Sequence, residues 1–463
     1  MSTASAVRSS KSTTADNPFA ALRYRGYRTY LIGQSLASIG TWMGSIAQDW
    51  LALQLTDSPT AVGITMALQF LPILFLGVHG GQLADRYPKR RILLITQTLN
   101  ACLTGTLAVL TVLGVVRIQY VFLIALLTGL VFAVEAPTRQ VFATEVVPMN
   151  HLRQAVSLNA TAFQATRLIG PAVASVLIDT AGTGWVFACN ALCYLGPTIA
   201  LLRLRPGDMT PAPPASREPR AFRNAARYVR QRPHVFWTVL LVGVIGTFGL
   251  NFPIVLTAIA TQTFHGTASM YGLFNVVLAA GSAMGALAAG SGTSTRLRPI
   301  VLYAGLFGVL QALAAAAPNL PTFLPLLVVM GFVNLAFQAL ANSSVQLWVD
   351  PEMRGRVMGL YMLVFTGGTP LGAPLIGALT NHVGARFGMA VCGLVPAVAA
   401  GAIVLIQVWS RRRSRRLPPA AVAHPSTRTA EASSATTSHA PDGSAAAPSS
   451  NSTGTRECVK AET

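Results

Sequence analysis

The chain has 463 residues, 52% of them hydrophobic and only 11% charged, with a formal charge of +19. Soluble domains carry about a quarter charged residues, and here the apolar residues gather in runs of roughly 20, enough to cross ~30 Å of hydrocarbon. A water-soluble fold is excluded by that distribution, and the five cysteines (Cys102, Cys189, Cys193, Cys392, Cys458) show no ligand spacing, so no metal and no cofactor is expected.

In chain order, residues 1–17 are rich in Ser, Thr and Ala and predicted to be disordered. Residues 18–29 carry Arg23, Arg25 and Arg28 among aromatics, which suits a short interfacial segment. Six spans follow over 30–54, 60–84, 92–115, 119–139, 155–179 and 184–203. After a polar stretch come six more, over 235–260, 269–291, 298–317, 321–345, 357–380 and 386–409. Within the polar stretch, Phe222, Ala225, Ala226 and Val229 share one helical face with arginines opposite. That spacing predicts an amphipathic helix lying at the cytoplasmic interface.

The expected organisation is a cytoplasmic tail over 1–28, a six-helix bundle over 29–205, and a cytoplasmic linker with the amphipathic helix over 206–234. A second six-helix bundle over 235–410 and a disordered cytoplasmic tail over 411–463 complete it. With the N-terminus inside, every Lys and Arg falls in a cytoplasmic segment except Arg117, Arg167 and Arg386. This positive-inside asymmetry predicts a multi-pass protein of the cell inner (plasma) membrane with both termini cytoplasmic. It also reads the net charge as a topology signal, with no nucleic-acid partner. An internal repeat supports two halves: a shift of 209 lays Gly63 on Gly272 and Lys89 on Arg298, and a shift of 203 lays Arg153 on Arg356 and Pro171 on Pro374. Parallel repeats of this kind are one of the transporter plans.

Between the second and third spans the chain reads Gly81-Gln-Leu-Ala-Asp85-Arg86-Tyr-Pro-Lys89-Arg90-Arg91. This resembles the signature loop of the major facilitator superfamily, with Pro88 where glycine is usual. Glu135-Ala-Pro-Thr-Arg139-Gln, Asn159, Arg167-Leu-Ile-Gly170-Pro171 and the run from Trp42 to Thr56 resemble its efflux branch, which includes enterobactin and macrolide exporters. The resemblance covers about residues 19–410. It implies an all-α membrane protein, twelve transmembrane helices in two pseudo-symmetric six-helix bundles, acting as a monomer by alternating access with proton-driven export. The partners implied are the lipid bilayer, protons and a small-molecule substrate. No G-x-x-x-x-G-K-[ST] phosphate loop or H-E-x-x-H is present, so neither ATP drive nor an enzyme is expected.

The candidate site residues follow from charge, position and that resemblance. A gate is expected at Gly81, Asp85, Arg86 and Arg90, joined by Glu135, Arg139 and Arg153 in a cytoplasmic charge network. The second half has Ser294 and Thr295 where Asp85 and Arg86 would be, so the latch is one-sided. Acids and bases inside a membrane are usually functional, which makes Asp49, Glu135 and Arg167 candidates for proton coupling, with Arg167 as counter-ion. The second bundle offers no buried charge. Family analogy places Gln34, Gln48, Trp50, Asn251, Phe252, Asn334, Phe337 and Gln338 on a substrate cavity, where amides and aromatics suit a bulky, mostly apolar ligand. Gly170, Pro171, Gly372 and Pro374 are expected to hinge or kink their helices. The expected function is export of small amphipathic or hydrophobic compounds (drug, antibiotic or siderophore-like) by proton antiport. An importer or symporter of the same fold, and a non-transporting sensor or scaffold, are the alternatives.

Overall fold

The computed structural model describes residues 20–147, 151–204, 221–289 and 296–416. The expected disorder of 1–17 and of most of 411–463, the start of the linker, and Ser294 and Thr295 therefore lie outside the described residues. So do the side chains of Gly81, Asp85, Arg153 and Phe222, although their backbones are helical. The chain divides into two compact units, 1–409 and 410–463.

Among the described residues there are helices and turns and no strand. The first half comprises α1 (Arg25–Thr56), α2 (Pro59–Arg86), α3 (Lys89–Val112), α4 (Ile118–Glu145), α5 (Leu152–Ala181), α6 (Thr183–Cys193) and α7 (Leu195–Arg203). The linker helix is α8 (Ala221–Gln231). The second half comprises α9 (Pro233–Val244), α10 (Phe252–Ala258), α11 (Ala268–Ala289), α12 (Leu297–Ala315), α13 (Leu320–Trp348), α14 (Pro351–Gly367), α15 (Thr369–Val383) and α16 (Ala385–Arg416). Eleven of the expected spans are long and apolar enough to cross a membrane. The twelfth is α1, at 32 residues longer than a bilayer requires. Its apolarity is diluted by Gln34, Gln48 and Asp49, all of which it buries against its neighbours.

Local chemistry sets the boundaries. Ser58 caps α2 by accepting from the Thr60 amide at 3.3 Å, with Pro59 at the first helical position. Asn319 caps α13 in the same way at 3.1 Å. Gly182 (φ 90) turns α5 into α6, and Gly384 (φ 110) turns α15 into α16 at the equivalent place in the second half. Only glycine takes that backbone without strain, so the repeat is written into the turns as well as the spans.

Three spans depart from continuous helices. The sixth bends at Tyr194, between α6 and α7. The seventh is α-helical over Pro233–Val244, π-helical over Ile245–Gly249, α-helical over Phe252–Ala258 and π-helical again over Ile259–Thr263. The eleventh starts at Pro351, earlier than expected, and breaks at Gly368. α5 runs through Pro171 and α15 through Pro374 without an assigned break.

The halves use the same packing. α2 lies along α4 and α1 along α5; α11 lies along α13, the corresponding pair of the second bundle. Small residues set the spacing: a side chain on Gly285 would strike the Phe332 carbonyl, and one on Gly331 the Leu278 carbonyl. Between the bundles, α2 packs on α15 and α5 on α11. Gly63 sits against the Ala373 carbonyl, Gly377 against Pro59, and Gly272 against Ser175. Ser58 Oγ donates to Asn381 Oδ1 at 3.1 Å, and Asp179 accepts from Thr267 Oγ1 at 2.9 Å and from the Ser269 amide at 3.1 Å. These contacts lie at the ends of the helices remote from the arginine-rich loops. Half-way along, Leu74 touches the backbone at Gly367, where a Cβ would come within 2.9 Å. Nearer the basic ends, a Cβ on Gly355 or Gly359 would meet nothing within 4 Å. Among the described residues, the side-chain hydrogen bonds between the bundles gather at the ends remote from the arginine-rich loops.

The linker helix packs on the second bundle: Ala225 and Val229 of α8 are buried, and α8 lies against α14. Tyr228 donates to Asp350 Oδ2 at 2.9 Å, and Arg232 bridges the same oxygen at 2.7 Å. The helix is held by the second bundle because an exposed carboxylate at the start of α14 meets both groups. Arg223, Arg227 and Arg230 remain exposed.

Candidate functional site

Glu135 lies inside the first bundle, on α4, and is 4% exposed. A carboxylate so far from water must be hydrogen-bonded, and three donors surround it. Asn100 Nδ2 donates to Oε2 at 2.8 Å, Gln97 Nε2 donates to Oε1 at 3.2 Å, and Arg139 Nη1 lies 3.4 Å from Oε1. Arg139 is one turn along the same helix, and Pro137 between them leaves α4 intact. The amides come from α3, at i and i+3 on one face. Sequence reasoning identified the acid and its arginine but missed Gln97 and Asn100; two amides at helical spacing in an apolar span were the available signal.

Two cavities adjoin this cluster, and both are walled by the first bundle. The larger, about 380 Å³, is lined among others by Trp42, Gln48, Asn100, Phe132, Glu135 and Asn190. The smaller, about 310 Å³, is lined among others by Tyr27, Gln34, Gln140, Asn159 and Thr166. Ser38, Arg139 and Phe163 line both. Gln48 Oε1 accepts from Gln69 Nε2 of α2 at 2.9 Å. Asn190 of α6 fits against Gly40 and Gly44 of α1, where any side chain would collide with its amide.

Asp49 and Arg167 are not partners. Asp49, 5% exposed, accepts a hydrogen bond from the Tyr271 hydroxyl of α11 at 2.9 Å, and the Trp50 ring stacks on Tyr271 with centroids 6.4 Å apart. The Arg167 guanidinium lies 5.5 Å from the centre of the Trp42 ring, a cation–π contact. Trp42 precedes Asp49 by about two helical turns, ~10 Å along α1, so depth separates the two charges. In this conformation the described partner of Arg167 is an aromatic face.

The second-bundle cavity candidates lie away from these two chambers. Asn251 is fully buried and donates through Nδ2 to the Thr247 and Phe248 carbonyls at 2.8 and 3.0 Å, where the seventh span changes from π- to α-helix. Phe252 packs edge-on to Phe307, and Phe337 is fully buried. Asn334 is 1% exposed and accepts from Gln338 Nε2 at 3.0 Å. Asn251 thus satisfies carbonyls freed by the helix break, while Phe252, Asn334 and Phe337 fill the core. Trp50 is likewise buried at the bundle junction, so of the cavity candidates only Gln34 and Gln48 line the two chambers.

At the basic end, Lys89 Nζ pairs with Glu145 Oε1 at 3.1 Å and Arg90 Nη2 donates to the Leu202 carbonyl at 3.2 Å. Arg86 lies over the Tyr87 ring at 5.8 Å. These contacts tie α3 to α4 and α7 within one bundle. Gly170 packs its backbone on Trp42 and Gly372 on Thr247, so both are close-approach points between helices.

The model of the transmembrane secretion effector family matches residues 16–428. The chain is 25% identical over 363 residues to the staphyloferrin A transporter of Staphylococcus aureus, covering 75% of this chain and 88% of that one. It is 25% identical over 402 residues to the enterobactin exporter EntS of Salmonella choleraesuis, covering 85% and 94%. Among solved structures it resembles a bacterial homologue of the human lysosomal transporter Spinster, with a TM-score of 0.64, 13% identity, and coverage of 87% and 100%.

Proposed function

Because this chain belongs to the transmembrane secretion effector family of major facilitator transporters, we propose that it exports small amphipathic or hydrophobic compounds, siderophore-like molecules among them, by alternating access and proton antiport. The observation that carries this reading is the hydrogen-bonded junction of the two bundles at the ends remote from the arginine-rich loops, through Ser58 and Asn381, Asp179 and Ser269, and Asp49 and Tyr271. With the basic ends in the cytoplasm, as the positive-inside rule requires, both termini are cytoplasmic and this conformation is inward-facing. A substrate then enters from the cytoplasm, the direction an exporter loads from. Relatives named for enterobactin and staphyloferrin A support the substrate class.

Of the three buried acids among the described residues, Glu145 is paired with Lys89 at the basic end, which leaves Asp49 and Glu135 for coupling. Asp49 is engaged at the closed junction, whereas Glu135 lines the larger chamber, so Glu135 is the acid we assign to the proton. Arg167 stabilises the packing of α5 on α1 through Trp42. Gly81, Asp85, Arg86, Arg90, Arg139 and Arg153 form the cytoplasmic gate that closes in the opposite state, with the 12-helix unit acting as a monomer in the inner membrane. The cations serve topology and gating, not a nucleic acid. Everted membrane vesicles test the reading: a proton gradient should drive accumulation of a hydrophobic dye, and collapsing the gradient should abolish it. Accumulation indifferent to the gradient overturns antiport, and flux of no compound overturns transport.

A further inference from the structure

We infer that Tyr228 and Arg232, at the end of the linker helix, are positioning residues for the transport cycle. They hold the Asp350 carboxylate off the start of its own helix, α14, and so keep that helix end open for closure of the basic ends. The inference rests on the alternating-access reading above and assigns the linker a part in it.

α14 opens with the same residue pattern as a capped helix. Ser58 precedes Pro59 at the start of α2, and Asp350 precedes Pro351 at the start of α14. Aspartate is among the strongest N-cap residues, yet the Asp350 side chain makes no cap bond. The linker has taken it instead. Asp350 Oδ2 accepts from the Tyr228 hydroxyl at 2.9 Å and from Arg232 Nη2 at 2.7 Å, and the Asp350 amide donates to the Tyr228 hydroxyl at 3.0 Å. Arg232 also donates through Nη1 to the Trp348 carbonyl at 3.3 Å, and its guanidinium lies over the Tyr228 ring at 4.6 Å. An exposed ion pair alone contributes little; here two side chains grip the corner between α13 and α14 through four hydrogen bonds.

The pseudo-repeat does not account for this arrangement. The shift of 203 lays Glu145 on Trp348 and Val147 on Asp350. In the first half Glu145 pairs with Lys89 and Val147 is buried, so that corner is tied within its own bundle. The second half has no acid at the first position, carries one at the second, and meets it from the linker. α14 lies beside α2, which it touches at Gly367 and Leu74, and α2 ends at the basic face with Asp85 and Arg86. A helix start without its cap keeps unsatisfied amides and a positive partial charge. Released from the linker, Asp350 would cap α14 itself and place its own charge where the end of α2 must arrive on closure.

The test uses the full chain in a cysteine-free background with Gly355→Cys, a position with open space around it in this conformation. Labelling by an impermeant thiol reagent in lipid nanodiscs reports how often the basic ends are closed. Tyr228→Phe combined with Arg232→Gln should lower the closed-to-open ratio about fivefold, the equivalent of one helix cap. Gradient-driven dye accumulation in everted vesicles should fall with it. Adding Asp350→Ala to that pair should return both readings toward the parent, because no carboxylate remains to cap α14. A cluster that merely supports the fold predicts the reverse, a triple variant at least as impaired as the pair, and that result overturns the inference. So does a paired variant that labels like the parent. Arg223→Gln, on the exposed face of α8, should change neither reading. If the paired variant does not yield a monodisperse protein, Tyr228→Phe with and without Asp350→Ala carries the same comparison. Vesicles that move no dye while labelling follows this pattern refute export and leave the positioning role standing. Undiminished accumulation by the paired variant, with unchanged labelling, refutes the positioning role and leaves export standing.

Discussion

The Tyr271 hydroxyl donates to Asp49 Oδ2 at 2.9 Å, and this bond crosses from the second bundle to the first. The acceptor is a carboxylate 5% exposed, and the donor ring is fully buried and stacked on Trp50. A buried hydrogen bond contributes about 0.5–1.5 kcal/mol net. Opening this end of the molecule must break it and rehydrate both groups. Tyr271→Phe should therefore shift the population toward the state open at this end by up to about tenfold. Labelling of Thr60→Cys, in a cysteine-free background, by an impermeant thiol reagent would report it; an unchanged labelling rate would remove the bond from the gate.

Asp179 is the second tie at the same end. It sits near the C-terminus of α5 and accepts from the Ser269 amide at 3.1 Å and from the Thr267 and Ser269 hydroxyls, capping the start of α11 in the other bundle. Loss of a cap costs about 1 kcal/mol. Asp179→Ala should raise labelling at Thr60→Cys less than Tyr271→Phe does, and the double variant should raise it most. An Asp179→Ala protein that labels like the parent would show that the cap serves α11 alone.

Glu135 separates structural from coupling roles. Glu135→Ala leaves Gln97, Asn100 and Arg139 without their acceptor, and each orphaned buried group costs about 1–3 kcal/mol. Glu135→Gln keeps one acceptor oxygen and the side-chain volume. The melting temperature of the purified protein should fall further for Ala than for Gln. If Glu135 carries the proton, Glu135→Gln should lose gradient-driven accumulation; accumulation that persists would return coupling to Asp49.

Gly355 and Gly359 have open space in this conformation, so Leu at either should leave thermal stability within about 0.5 kcal/mol of the parent. Closure of the basic ends would bring α14 against α2, where a large side chain stands in the way. Transport in vesicles should be largely lost while binding from the open side survives. Full transport by both variants would mean that the basic ends do not meet there. Asp85→Asn, at the end of α2, should give the same phenotype by weakening the closed gate.

The legibility of the site was uneven. Glu135 and Arg139 could be read because a charge in an apolar run is conspicuous and i,i+4 spacing pairs them. Gln97, Asn100 and Asn190 carried a weaker signal, since an amide in a span is equally suited to helix packing, as Asn251 and Asn334 are. Asp49 was conspicuous too, but its partner lies 222 residues away, on a helix whose rotation no local spacing encodes.

What the sequence determined by itself is the number and length of the spans, the pseudo-repeat, the family and the basic loops. These depend on run length, charge placement and contiguous motifs, all local along the chain. The tertiary structure decided which end of the bundles is joined, where the helices break, and which partner each buried polar group finds. Those choices depend on the rotation and depth of each helix against its neighbours, where the cost of an unsatisfied group inside the membrane selects one arrangement from many with the same hydrophobic pattern.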